Sequence, residues 1–198
     1  MLNSSSGTKL IKLARKSVEN VFKNKKFMLE RISDEQLKEK RGIFVTIQTH
    51  PEKNLRGCIG IISNHYELWE GVQRAAVSAA FEDPRFPPLQ KSELEKIIFE
   101  VSILTKPKLI KVKNSKEYFE KINVGEDGLI IQNGPCSGLL LPQVATEFGW
   151  DVKEFLDNLC FKADLTPDYI FDKNTKLWKF QTQIFSEERP REKVISQT

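Results

Sequence analysis

The chain has 198 residues, 39% of them hydrophobic, with 31 lysines and arginines against 27 aspartates and glutamates and a formal charge of +4. That length fits one domain or two interlocked lobes around a real core, and the near balance of charge gives no overall electrostatic case for a nucleic-acid partner. No apolar run is long enough to cross a bilayer, and the serine-rich Met1–Gly7 lacks the apolar core of a signal peptide. Three cysteines in unlike contexts, Cys58, Cys136 and Cys160, without C-x-x-C spacing, fit a reducing compartment, so a cytoplasmic protein is expected.

Residues 1–7 read as a loose tail. Thr8 is placed to cap a first helix running to about Lys25, with Leu10, Leu13, Ala14, Ser17, Val18 and Val21 at helical spacing and lysines between them. That lysine cluster (Lys9, Lys12, Lys16, Lys23, Lys25, Lys26) reads as a solvated helix face. A short second helix is expected after Ser33, from the capping pattern Ser33-Asp34-Glu35-Gln36. The period then changes to two over Gly42–Thr49, predicting a strand, and His50–Asn54 is turn chemistry leading into a second strand, Leu55–Ile62. After Ser63-Asn64-His65, alanines and aliphatics define a helix from about Tyr66 to Glu82, which Asp83-Pro84 stops.

Arg85–Leu89 is a stiff proline loop, and Ser92–Glu95 starts a brief helical turn. Ile97–Leu104 is a strong strand with Ile97, Phe99, Val101 and Ile103 on one face and Ile98, Glu100, Ser102 and Leu104 on the other. A helix near Ser115–Ile122 follows, then a hairpin of Leu129–Gln132 and Ser137–Leu141, a helix opened by Pro142, another capped by Asp151, and one closing strand over Lys176–Phe185. Ser186–Thr198 reads as a polar tail. Both halves run helix, hairpin, glycine-containing strand, helix, a pattern consistent with internal duplication.

The functional expectation centres on Leu55-Arg56-Gly57-Cys58-Ile59-Gly60. Alternation in a strand sends Arg56 and Cys58 to one side, where a guanidinium beside a thiol would favour the nucleophilic thiolate. Gly57 and Gly60 would let a ligand or another backbone come close. Against this stands a structural reading, in which Cys58 is a small buried hydrophobe and Arg56 pairs with Glu100. Asp83 and Arg85, on the proline loop, are candidate cleft-lining residues. His50 and His65 have no metal-ligand spacing, so no metal site is assigned. No phosphate-cradling P-loop, G-x-G-x-x-G or G-x-S-x-G occurs.

These motifs, with Asp83–Leu89, Glu100–Thr105, Gly128–Ile131 and Gly138–Ala145, resemble the AMMECR family over nearly the whole chain. Two departures stand out, Asp164 in place of an expected glycine and Tyr169 in place of an expected tryptophan. The resemblance implies a mixed α+β fold, mainly antiparallel sheet with flanking helices in a larger and a smaller lobe, as one domain over residues 8–185. It supplies no biochemical activity and no cofactor. It associates prokaryotic members with a radical-SAM enzyme and a Memo-like protein. Three readings result: a reactive Cys58 tuned by Arg56, acting on a small-molecule ligand; a non-catalytic accessory protein that docks to that pathway; and, with least support, nucleic-acid binding.

Overall fold

The computed structural model describes residues 1–24, 26–62 and 65–197. The expected helix end at Lys25, the lead-in Ser63-Asn64 and the terminal Thr198 lie outside the described residues. In chain order the elements are α1 (Ser4–Asn24), β1 (Ile43–Thr49), β2 (Leu55–Ile61), α2 (Leu68–Phe81), β3 (Ile97–Leu104), β4 (Lys108–Leu109), α3 (Tyr118–Lys121), β5 (Gly128–Asn133), β6 (Cys136–Leu140), α4 (Pro142–Phe148), α5 (Val152–Lys162), β7 (Lys176–Phe180), β8 (Thr182–Glu187) and β9 (Val194–Gln197), with short 3-10 turns between several of them. They form an α+β protein of two compact units, Met1–Leu104 with Gln183–Thr198, and Thr105–Thr182. Among the described residues no helix is long and apolar enough to cross a membrane.

The larger unit is a five-stranded sheet in the order β2-β1-β3-β8-β9, with α1 and α2 packed on it. β1 sits between β2 and β3, antiparallel to both. Period-two alternation buries Ile43, Val45 and Ile47 of β1 and Phe99, Val101 and Ile103 of β3 against Leu10, Ala14 and Val18 of α1 and Val72, Ala75 and Ala76 of α2. The other face of the same strands carries Thr46 and Glu100, half-buried, with Ile98, Ser102 and Leu104 buried beside them.

Both chain ends are packed rather than loose. α1 begins at Ser4, and Thr8 lies inside it, its hydroxyl donating to the Ser4 carbonyl. Leu2 is buried and exchanges two backbone hydrogen bonds with the Gln183 side chain. The expected C-terminal tail instead contains the last two residues of β8 and the whole of β9. Its Glu187 receives Arg15 through Nε at 2.7 Å and Nη2 at 2.5 Å, and also accepts the Phe99 N–H. Arg15 also donates through Nη1 to the Leu94 carbonyl and through Nη2 to the Ile97 carbonyl. A buried charge stripped of its partner costs about 3–5 kcal/mol, so this satisfied pair fixes the C-terminal segment to α1 and β3. Pattern reading missed it because one buried pair leaves no periodic trace.

Other boundaries also move. The second helix is a 3-10 turn, Glu35–Lys38, capped by Asp34 rather than Ser33. The single closing strand is two strands in different sheets, β7 and β8, parted at Gln181, whose backbone bonds to Thr105 on both sides.

The smaller unit is an antiparallel sheet in the order β4-β7-β5-β6 with α5 against β6 and β5. Its core gathers Leu129, Ile131, Leu177, Phe155, Leu156 and Leu159. Asp151 caps α5 in a reciprocal box with Glu154, and Gly149, at φ 67°, ends α4 in the left-handed conformation that glycine adopts without strain.

Candidate functional site

β2 is an edge strand of the larger sheet. Gly57 faces α2, where an added Cβ would stand 2.1 Å from the Ala79 carbonyl oxygen. Gly60 lies on the opposite face, opposite Phe44 of β1, whose ring an added Cβ would meet at 2.1 Å. The room left by both glycines is therefore filled by the protein itself: a helix backbone over Gly57, an aromatic ring over Gly60.

Cys58 pairs with Thr46, and Thr46 pairs on its other side with Glu100, so thiol, hydroxyl and carboxylate form a row across three strands. The Thr46 hydroxyl donates to Cys58 Sγ at 3.3 Å. The backbone of Cys58 points off the free edge, where Asp83 and Arg85 take it. Its N–H donates to Asp83 Oδ2 at 2.8 Å, and its carbonyl accepts Arg85 Nη2 at 3.1 Å. Asp83 also accepts the Arg85 N–H and two guanidinium donors. The Asp-Pro-Arg loop is thus an edge clamp: it satisfies backbone groups that would otherwise invite another strand.

The electrostatics follow from this wiring. The Arg85 guanidinium, with the Cys58 and Arg85 amides, holds the nearly inaccessible Asp83 carboxyl well below the usual carboxylate range, against the opposing pull of burial. Asp83 in turn pushes Arg85 up. Burial pushes the Cys58 thiol up; the Thr46 hydrogen bond and Arg85 oppose the rise, and Asp83 and Glu100 reinforce it.

Two expectations are corrected here. The cation beside Cys58 is Arg85, not Arg56, and the thiol is raised rather than lowered. The carboxylate that Arg56 grips is Glu93, not Glu100: Nε reaches Glu93 Oε1 at 2.7 Å and Nη2 reaches Oε2 at 3.1 Å. Glu93 is also the N3 residue of the 3-10 turn Lys91–Lys96 and accepts the Gln90 N–H. Arg56 holds its carboxyl below the ordinary value. The β1–β2 register slips at Arg56, which has no partner between Gly57, opposite Ile47, and Leu55, opposite Gln48, and the carboxylate it meets lies 37 residues away in a turn. The third nitrogen of Arg56, Nη1, is buried and has no hydrogen-bond partner. Arg56 and Arg85 both lie within 6 Å of the Phe86 ring centroid, at 5.9 and 5.6 Å.

The structure thus brings Arg56, Cys58, Asp83 and Arg85 to one strand and its clamp, adds Thr46, Phe86 and Glu93, and places Glu100 two strands from Cys58. Thr46 was findable from hairpin register and Glu93 from its capping position. Among the described residues no three His, Cys, Asp or Glu side chains gather as a metal-binding group.

Fold and site together define an α+β protein whose most distinctive element is a glycine-bearing edge strand closed by an Asp-Pro-Arg loop. The AMMECR1 family model matches residues 11–185, and the chain belongs to that family. It is 50% identical over 195 residues to Protein MJ0810 of Methanocaldococcus jannaschii, covering 98% of this chain and 96% of that protein. It is 46% identical to Protein MK0488 of Methanopyrus kandleri, covering 96% and 92% of the two chains. The crystal structure of uncharacterized protein PH0010 from Pyrococcus horikoshii superposes with a TM-score of 0.90 at 42% identity, covering 99% of this chain and 98% of that one.

Proposed function

We propose that β2 and the Asp83–Leu89 loop form a binding surface for a ligand that presents a carboxylate or phosphoryl oxygen, and that Cys58 packs and orients within it rather than acting as a nucleophile. The observation that carries this reading is Arg56 Nη1. A buried donor group without an acceptor costs about 1–3 kcal/mol, and the bidentate pair with Glu93, through Nε and Nη2, leaves the Nη1 group unpartnered. Guanidinium groups grip planar oxyanions through paired donors, so an incoming oxygen would complete the set. A thiol raised by burial speaks against a thiolate at neutral pH.

The same chemistry extends to a protein partner. A radical-SAM or Memo-like protein, the class implied by the family resemblance, would present an aspartate or glutamate side chain to the same surface. A nitrogen-15 NMR titration of the full chain with acetate, phosphate and succinate tests the reading. The Arg56 side-chain Nε–Hε and Cys58 amide resonances are expected to shift saturably, and Arg56→Lys to abolish the shift. Resonances that stay fixed up to solubility-limited anion concentrations overturn the small-ligand reading. Retention of a purified Memo-like or radical-SAM partner that Arg85→Glu does not weaken overturns the use of this surface for docking.

A further inference from the structure

The near balance of charge conceals an uneven distribution inside the smaller unit. Residues 105–121 and 172–182 together hold nine lysines against three carboxylates, while residues 142–171 hold two lysines against six. The basic half surrounds a groove of about 500 Å3 between the segment after β4 and the turn that leads into β7. Its floor is held by the Ile110 N–H on the Leu177 carbonyl and by Tyr118, which is buried. Lys111, Lys113, Lys173 and Lys176 line it, and none of the four ion-pairs with a carboxylate among the described residues.

The acidic groups on the groove are accounted for. Asp172 lines it but accepts from Asn133 Nδ2 and the Asn174 N–H. Glu117, close by, is tied to Lys121, the Lys113 N–H and Asn114. At the rim stands Phe171, 59% exposed, with no aromatic or cationic partner among the described residues. Leu109, 45% exposed, lies on the same groove.

We propose that this groove binds a nucleotide unit, its phosphate held by the four lysines and its base stacked on Phe171. The exposed ring is the discriminating feature. Lysines alone would take any polyanion, but an unpartnered aromatic face beside unpaired cations matches the two halves of a nucleotide, as in platforms that hold single strands by stacking and charge. The volume lies in the range of small-molecule sites and suits one nucleotide rather than a flat lipid or protein contact. The proposal does not depend on the β2 surface, and the two fail separately.

Fluorescence anisotropy of the full chain with a labelled oligouridylate at about 20 mM salt tests it, since phosphate contacts weaken steeply with salt. Binding is expected, with log K falling against log salt at a slope between about −0.7, for one phosphate held, and about −3, for four neighbouring phosphates of the strand each meeting one lysine. Phe171→Ala, at an exposed position, is expected to weaken binding about tenfold while far-ultraviolet circular dichroism stays unchanged. The double change Lys173→Gln/Lys176→Gln is expected to weaken binding and to make the slope shallower, by at most about 1.4. Lys12→Gln/Lys23→Gln, on α1 in the larger unit, should do nothing. Competition by AMP assigns a free nucleotide as ligand, and strand binding without such competition assigns a polymer; both support the proposal. No binding at low salt, strand binding that Phe171→Ala leaves intact, or capture by phosphatidylserine vesicles in the absence of any nucleotide binding overturns it.

Discussion

The hairpins β1–β2 and β5–β6 share a plan and differ in how tightly they execute it. In each, the second strand is a sheet edge and carries a glycine that meets the C-terminal end of a helix packed on it: α2, the next helix, for β2, and α5, the second helix after the hairpin, for β6. At Gly57 an added Cβ would stand 2.1 Å from the Ala79 carbonyl oxygen of α2, whereas at Gly138 the nearest atoms are the Ala163 nitrogen at 2.9 Å and the Leu159 carbonyl oxygen at 3.1 Å. The loops that follow diverge more. After α2 the chain returns to clamp the Cys58 edge through Asp83 and Arg85. After α5 it turns through Asp164 into the 3-10 turn Pro167–Phe171. The echo in the sequence is therefore an echo in helix-on-strand packing, and the ion-paired clamp is what the first hairpin adds.

The sharpest way to break the comparison is to add the missing methyl group at each glycine. Gly57→Ala pushes a Cβ into backbone, so α2 itself must move, and a loss of about 3 kcal/mol is expected from overpacking. Gly138→Ala also meets backbone, the Ala163 nitrogen, but at 2.9 Å rather than 2.1 Å, so the shift it forces is smaller and the loss should be about 1.5 kcal/mol. Urea denaturation of both variants measures the difference. Equal losses would mean that the two helices sit equally close and that the plan is not graded.

The clamp comes next. Asp83→Ala leaves the Cys58 N–H without its acceptor and frees Arg85, for an expected loss of about 2 kcal/mol at neutral pH. Because the folded Asp83 carboxyl lies below its unfolded value, its contribution is complete above about pH 4 and is lost as pH falls through the folded value. The stability gap between wild type and Asp83→Ala, followed by denaturant titration from neutral to acid pH, should therefore stay constant down to about pH 4 and then narrow. A gap that widens in acid would show that Asp83 is not the charged group holding the edge.

The thiols probe the same contrast on a smaller scale. Burial raises Cys58, and burial with Asp157 and Asp168 pushes Cys160 up to about 11. Iodoacetamide labelling followed by peptide mass spectrometry at pH 8 should find Cys58 slower than a free thiol, as its smaller thiolate fraction dictates. Cys160, fully buried in the core of the smaller unit, should remain unlabelled until the protein unfolds. Fast labelling of Cys58 would restore the nucleophile reading.

How much of this was legible in the residues depends on the range of the interaction. β3 was readable to the residue because one strand buried on both faces writes an apolar run from Ile97 to Leu104 broken only by Glu100 and Ser102. α5 was readable at its start because the Asp151–Glu154 box is local. The bulge at Arg56, which interrupts strand alternation next to Cys58, carries no mark in the sequence. What also did not follow is which distant group each arginine would meet. The Arg56–Glu93 and Arg15–Glu187 pairs span 37 and 172 residues, and the sequence offers many carboxylates for either arginine. β4, two residues long, was invisible because no period can be counted over two positions. β7 and β8 merged into one expected strand because Gln181, where the chain leaves one sheet for the other, carries no turn chemistry of its own.

Asp164 shows a departure from a family pattern becoming physical. The resemblance to the AMMECR family leads one to expect glycine there, and the structure gives the reason: Asp164 has φ of 56°, in the left-handed region where a Cβ crowds the backbone. Aspartate tolerates that region better than most residues, so the strain is modest. It closes the C-terminal turn of α5, with its N–H on the Phe161 carbonyl and the next N–H, of Leu165, on Cys160. Asp164→Gly removes the strain at the cost of a more flexible unfolded chain, and a net gain of about 0.5 kcal/mol is expected, read as a higher urea midpoint at unchanged slope. The same substitution at Asp151, which caps the other end of the helix from extended backbone at φ of −78°, has no such strain to relieve and should lose stability by a few tenths of a kcal/mol. Opposite signs at the two ends of α5 would tie the departure to backbone conformation, whereas a loss at both ends would mean that the Asp164 side chain contributes more than its conformation costs.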